Sequence, residues 1–284
     1  MTTNHTNPIS IIIRTYNESE YIENLLIALK SQTLKNIEII LVDSESTDNT
    51  VEIAQKYCDR IINIKKSDFT FGYSLNKGIE QATHNHLVLI SAHTIPCNKT
   101  YLEKITKPLS DLSVAMVYGK QVGDLDSRFP EYQDLLRTFN DQPLILKAPN
   151  YFSHNANSSL RKTAWHAHNF NELLSGQEDI EWAKYWMERG LKVHYEPQAS
   201  IVHSHRETWA QIRHRFNREK KAMINIGVHK KLDLLPFIFC ELYRVFDDFR
   251  EWRSHKNFIN SKRDILLYRW NKLVGSFSGS FFCK

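Results

Sequence analysis

The sequence has no apolar run approaching the roughly 18–20 residues that span a bilayer. Its N-terminus, MTTNHTNPIS, has no basic stretch followed by an apolar core. Neither a membrane span nor a signal peptide is expected. Cysteine is scarce: Cys58, Cys97, Cys240 and Cys283 stand far apart, with no CxxC pair. That excludes a zinc ribbon or a dithiol redox motif and fits reduced thiols in a cytoplasmic protein. Glycine is also scarce, nine in 284 residues, and is never arranged as GxGxxG or as the GxxxxGK of a P-loop. A dinucleotide turn and a P-loop are therefore excluded, and GxSxG is absent too. The chemistry must come from carboxylates and histidines.

What is present is an ordinary globular composition, 42% hydrophobic and 24% charged, long enough for one large α/β domain with an appendage. The net charge of +5 is uneven. Residues 206–284 carry 17 Lys/Arg against 8 Asp/Glu, a balance of +9, which leaves −4 for residues 1–205. A basic, aromatic tail on a mildly acidic body points to an anionic partner.

The first 120 residues alternate strand and helix. ISIIIRT, IEIILVDS, RIINIK, HLVLIS and SVAMVYG are apolar runs of strand length. Between them, Ile22, Leu25, Leu26 and Leu29, then Val51, Ala54 and Cys58, then Leu75, Ile79 and Ala82 recur at helical spacing. Asn17 with Glu20 reads as a capping box opening the first helix. This alternation predicts a mostly parallel sheet flanked by helices, with ligands beyond the carboxyl ends of the strands. The loops Thr15–Glu18, Asp43–Ser46 and Ser91–Pro96 are thereby singled out together. Residues of about 120–170 read as irregular and polar, a place for a specificity lid. SGQEDIEWAKYWMERG is a helix opened by Ser175 with Glu178 and closed before Gly190. LKVHYEPQASIVHSH reads as two short strands with a turn at Pro197.

In the loops, Tyr16 offers a ring to stack on a base, and Asp43 a carboxylate to accept the imide N–H of a pyrimidine. The alternatives are that Tyr16 packs on the helix and Asp43 caps a turn. Of the adjacent Glu178 and Asp179, Glu178 fits a capping role, which leaves Asp179 as the candidate general base or as a favourable charge at the helix N-terminus. His203 and His205 share a face of an extended strand. With His93 they make three imidazoles that can converge, as ligands of a divalent ion or as ordinary hydrogen-bonding histidines.

At this point the chain resembles a family 2 glycosyltransferase of GT-A fold. SIIIRTYNESEYIENLLIALKSQTLKNIEIILVDSESTDNTVEIAQKY follows the family's opening, and LNKGIEQATHNHLVLISAHTIP falls where it has a helix and then an Asp-x-Asp loop. NANSSLRKTAW, GQEDIEWAKYWMERGLKVHYEPQASIVHSH and RWNKLVGSFSG are similar to the branch containing rhamnosyltransferases of surface polysaccharide assembly. The resemblance implies a GT-A domain over 1–205, with a donor half of about 8–120 and an acceptor half of 121–205, and a basic helical extension over 206–284. It implies inverting transfer from a UDP- or dTDP-sugar to a glycan or lipid-linked glycan of capsule or lipopolysaccharide type. Thr15, Tyr16, Glu18, Asp43, Asn76, Lys77, Ser91, Ala92 and His93 would line the donor site, although Leu75 stands where members often carry arginine. Asp179 would be the catalytic base, and Glu178 would position it or bind acceptor.

One departure stands out. Ser91-Ala92-His93 replaces Asp-x-Asp, and both carboxylates are gone. Either His93 holds Mn²⁺ or Mg²⁺ with His203 or His205, more weakly than a carboxylate site, or His93 meets the diphosphate directly without metal. An inactive relative is the third reading. For the tail, the implied partner is the anionic inner membrane surface, with LLPFIFCELYRVF adding apolar insertion; the bland reading is a solvated helical face. No nucleic-acid motif is present. The expected location is cytoplasmic or peripheral on the membrane, and the oligomeric state stays open. A nucleotidyltransferase would need a glycine-rich basic loop after the first strand, which RTYNESE is not. A non-catalytic nucleotide-sugar-binding module is the remaining alternative.

Overall fold

The computed structural model describes residues 7–124, 127–203, 206–255, 258 and 261–281. The chain folds as two compact units. One holds the described residues of Met1–Gln121, Asn140–Leu174 and Glu178–His203; the other holds those of Val122–Phe139, Ser175–Gln177 and Ser204–Lys284.

The first unit is built on a sheet. β1 (Ile9–Thr15), β2 (Ile37–Asp43), β3 (Arg60–Asn63) and β4 (His86–Ser91) are parallel, in the order β3-β2-β1-β4. β1, β2 and β4 are near-continuous apolar runs because both their faces are covered. Their helices are α1 (Ile22–Lys30), α2 (Thr50–Ala54) and α3 (Phe71–Gln81). Ile22, Leu25, Leu26 and Leu29 of α1 are fully buried, each contributing on the order of 1.5–3 kcal/mol. Gly78 lets α3 approach the sheet: a Cβ there would stand 2.6 Å from Ile12 and 2.9 Å from Val42. Register decides the site. Thr15 is opposite Asp43, and Arg14 is opposite Ser91, so three strand ends share one rim.

After β4 come β5 (Thr94–Pro96), α4 (Tyr101–Thr106), β6 (Val114–Val122) and α5 (Phe129–Thr138). Then follow β7 (Leu144–Leu146), β8 (Asn157–Arg161), α6 (Lys162–Ala167), α7 (Glu178–Met187) and β9 (Lys192–His203). The sheet continues β4-β8-β6-β9-β5, with β7 also on β9. β8 is antiparallel to both β4 and β6, and β9 to both β5 and β7. The result is an α/β fold of GT-A type, a parallel half extended by antiparallel strands.

Four local expectations are corrected. The segment 120–170 is not irregular: β8 runs through the middle of the sheet with every residue buried. Its polar side chains hid it. Asn157 donates to Lys120 O and Ala199 O at 3.0 and 2.9 Å and accepts from Tyr101 Oη at 2.9 Å, so burial leaves it satisfied. Likewise β9 is one strand, not two. Its pairing passes from β7 at 193–195 to β5 at 201–203, and Pro197, without an N–H, falls in the gap. α1 starts at Ile22 with no side-chain cap, because Asn17 is spent on the neighbouring loop. α7 starts at Glu178, so Ser175 and Glu178 do not bracket its first turn. Its other end is as expected: Gly190, at φ +88°, and Leu191 donate back to Met187 O and Trp186 O.

The second unit is helical: α5 with α8 (Trp209–Asn225), α9 (Leu234–Trp252) and α10 (Ser261–Phe281). Residues 122–139 cluster with the tail rather than with the sheet. Ion pairs tie them there. Arg269 reaches Asp134, Glu241 and Asp248 at 2.8, 3.0 and 2.8 Å, and Lys272 reaches Asp134 and Glu241 at 2.7 and 3.1 Å.

Candidate active site

At the rim of the parallel strands, two loops are laced together. Asn17 N donates to Ser46 Oγ, Glu18 N to Thr50 Oγ1 and Ser19 N to Asp48, at 2.8, 2.8 and 3.1 Å; Thr47 N donates back to Asn17 Oδ1 at 2.8 Å. Burial alone would raise the Asp48 pKa, but hydrogen bonds from Thr50 and Ser19 override it and bring it down to about 2. Asn17 and Glu45 hold φ of +53° and +60°, a conformation that side chains with a Cβ adopt seldom. Such loops are pre-set rather than adaptable.

The expected donor residues divide. Thr15 and Asp43 are buried at adjacent strand ends. Asp43 accepts from Ser46 N at 2.9 Å and from Ser46 Oγ, contacts that fix the orientation of its carboxylate at the rim. Tyr16 is exposed, with Lys66 Nζ 4.2 Å above its ring and 2.6 Å from its hydroxyl. Ala92 is buried in the apolar core, and Ser91 O accepts from Thr94 Oγ1 at 2.8 Å.

Asn76 and Lys77 both have partners within the protein. The Asn76 amide donates to Phe170 O and Glu172 Oε1 at 2.9 and 2.8 Å and accepts from Trp165 Nε1 and Phe170 N at 2.8 and 3.1 Å. Its four hydrogen-bonding positions are used, which makes it a buried cross-brace. Lys77 pairs with Glu80 at 3.1 Å on the helix surface.

The histidines do converge. His93 Nδ1 lies 2.9 Å from Glu18 Oε1, and its Nε2 lies 3.0 Å from His203 Nε2; His203 Nδ1 in turn lies 2.6 Å from Gln121 Oε1. His205, the other imidazole expected here, lies outside the described residues. Among the described residues, His154 stands edge-on to His203 with ring centroids 6.3 Å apart. Among the described residues no group of three or more His, Cys, Asp or Glu side chains is placed to hold a metal ion.

The carboxylate pair is next in the chain of contacts. Asn155, beside His154, donates its backbone N–H to Asp179 Oδ2 at 2.8 Å and its amide to Glu178 Oε1 at 3.2 Å. Asp179 Oδ1 accepts from Ile180 N at 2.8 Å. Both carboxyls are buried. Desolvation pushes the Asp179 pKa up to about 6, against two backbone hydrogen bonds and the charge of Arg14. Burial and the neighbouring Asp179 raise Glu178 as well. Gln177, just before them, holds φ of +63°. Sequence reasoning missed Arg14, Gln121, His154 and Asn155. Only the HNAN run beside the branch-like NANSSLRKTAW gave any signal for the last two.

The fold is that of a GT-A glycosyltransferase. Residues 10–170 match Glycosyl transferase family 2, and the chain belongs to that family. It is 31% identical over 212 residues to the O-antigen chain rhamnosyltransferase WbaN of Salmonella anatum, covering 70% of this chain and 67% of that one. It is 25% identical over 211 residues to the O-antigen chain rhamnosyltransferase RfbN of Salmonella typhimurium, at 70% and 67% coverage. Among solved structures it is similar to the mannosyltransferase PcManGT from Pyrobaculum calidifontis in complex with GDP-Man and Mn²⁺, with a TM-score of 0.67, 15% identity, and 98% and 88% of the two chains covered. It is also similar to S. aureus TarS 1–349 in complex with UDP-GlcNAc, with a TM-score of 0.60, 16% identity, and 93% and 90% covered.

Proposed function

We propose that this glycosyltransferase inverts the anomeric centre as it moves a sugar from a pyrimidine nucleoside diphosphate to a hydroxyl of a surface polysaccharide precursor. The surface-polysaccharide assignment draws on the O-antigen relatives, and the diphosphate-sugar class on the ligands of the two neighbours. Asp179 carries the mechanism: a buried carboxylate with a pKa near the working pH is suited to general-base catalysis. It takes the acceptor hydroxyl proton while that oxygen forms a bond to the anomeric carbon. The bond from that carbon to the phosphate oxygen breaks, and the electron pair leaves with the diphosphate. Asn155 N–H and Ile180 N–H hold the carboxylate in place. Tyr16 and Asp43 meet the nucleobase.

The residues at His93 fit a divalent ion. Two imidazole Nε2 atoms stand 3.0 Å apart, and each ring is oriented through its other nitrogen by Glu18 or Gln121, the outer-shell arrangement typical of metal-bound histidine. His93 and His203 would hold the ion together with diphosphate oxygens. When bound, such an ion would neutralise charge on the departing diphosphate.

The test is a thermal-shift screen of UDP-, dTDP-, GDP- and CMP-sugars with and without Mn²⁺, combined with transfer assays. UDP- or dTDP-sugar stabilises the protein, and Mn²⁺ enhances the shift. Asp179→Asn retains donor binding and loses about 10²–10⁴-fold in transfer; transfer at the native rate rejects the base assignment, whereas donor binding with no transfer by the native chain leaves only a binding module. Stabilisation by GDP-sugar alone rejects the pyrimidine assignment. His93→Ala abolishes the Mn²⁺ enhancement, and an undiminished enhancement rejects His93 as ligand.

A further inference from the structure

α9 packs Val245, Phe249 and Trp252 against buried Phe129, Phe258 and Ile265, but it also buries acidic groups and leaves a second apolar face open. Its inward side chains include Glu241 and Asp248, both 0% exposed, which meet Arg269. Its outward side chains are Leu235, Phe239, Leu242, Tyr243 and Phe246, spaced 4, 3, 1 and 3 residues apart. Leu235, Phe239 and Phe246 are 65%, 72% and 74% exposed. That spacing makes one continuous stripe, about 16 Å long at the helical rise. α10 likewise buries Arg269 and Lys272, beside Ile265 and Tyr268, and leaves Leu266, Trp270, Phe277 and Phe281 exposed.

Charge selects what meets the stripe. Part of the unit's positive charge is spent inside it, since Arg137, Arg269 and Lys272 face buried carboxylates. What stays outside brackets the stripe. Lys230 and Lys231 are exposed just before α9, and Arg253 just after it. Lys262 and Arg263 are exposed at the start of α10, with Lys262 Nζ 5.0 Å above the Trp252 ring at the end of α9. An apolar, aromatic-rich face between cationic ends matches the apolar interior and anionic surface of a lipid bilayer. No helix among the described residues is long and apolar enough to cross a membrane, so the fit is to lying in the interface. We propose that α9 docks this unit on an anionic membrane, with Phe239 and Phe246 inserted among the acyl chains.

The proposal stands apart from the donor assignment, and nucleotide binding serves as its folding control. The full chain is floated with vesicles of phosphatidylcholine alone and of equal parts phosphatidylcholine and phosphatidylglycerol. It binds the anionic vesicles, and the double variant F239S/F246S loses about tenfold or more in binding while its thermal shift with UDP is unchanged. Exchanging Lys230 and Lys231 for Gln weakens binding less and removes part of its salt dependence. Failure of the native chain to float, or equal flotation of F239S/F246S, overturns the proposal. So does a stable dimer that F239S/F246S dissociates in the absence of vesicle binding, because the stripe would then belong to a second copy.

Discussion

Asp179 sits where water is scarce, and that decides how it titrates. Its carboxyl, near 3.8 in water, rises to about 6 in the fold because desolvation outweighs its two backbone hydrogen bonds and Arg14. As a base it works only when ionised. The transfer rate under kcat/KM conditions therefore falls about tenfold per pH unit below about 6 and levels off above it. For stability the sign is opposite. The folded pKa lies above the unfolded one, so this group's stabilising contribution is complete below about 3.8 and is lost as pH rises through about 6. A pH–rate profile shows the catalytic limb directly. An acid limb near 4 would mean that the carboxylate is as hydrated in the working enzyme as in a peptide. Asp179 itself was legible in the sequence, beside Glu178 at a helix start. Asn155, which holds both carboxyls, was not, because two of its contacts join segments more than 20 residues apart.

Elements divide along a similar line. β1, β2 and β4 with α1 and α3 follow from apolar periodicity alone, since their burial is one-sided or complete. β8 does not, because a strand of Asn, Ser, Ser, Leu and Arg is stabilised by partners that the local sequence does not contain. Asn76 shows the cost of reading position without partners. It lies on the helix expected beside the donor, yet its amide bridges α3 to residues 165–172. Asn76→Ala leaves the Trp165 Nε1–H without its acceptor and the Phe170 backbone without its partner. Each such buried loss costs about 1–3 kcal/mol. Urea denaturation of the variant shows a lowered midpoint with an unchanged slope, while KM for the donor in the folded fraction stays at the native value. A raised KM with native stability would return Asn76 to the donor site.

At the scale of the molecule, the two units expose different things. The sheet unit hides apolar strands and opens a polar rim at their carboxyl ends. The helical unit hides Arg269, Glu241 and Asp248 and turns aromatic rings outward. Composition gave the tail's net charge but not its distribution, because which charges pair inside depends on α5, a segment 100 residues earlier in the chain. The two surfaces therefore answer to different ligands, and backbone hydrogen exchange separates them. Ligand binding slows exchange where opening must first release the ligand. UDP with Mn²⁺ slows exchange in residues 15–19, 43–50 and 91–96 and leaves 232–246 unchanged. Phosphatidylglycerol-containing vesicles slow 232–246 and leave the rim loops unchanged. Protection of 232–246 by UDP alone would place the nucleotide on the helical unit. Vesicle protection confined to the rim loops would give the lipid contact to the sheet unit and take it from α9.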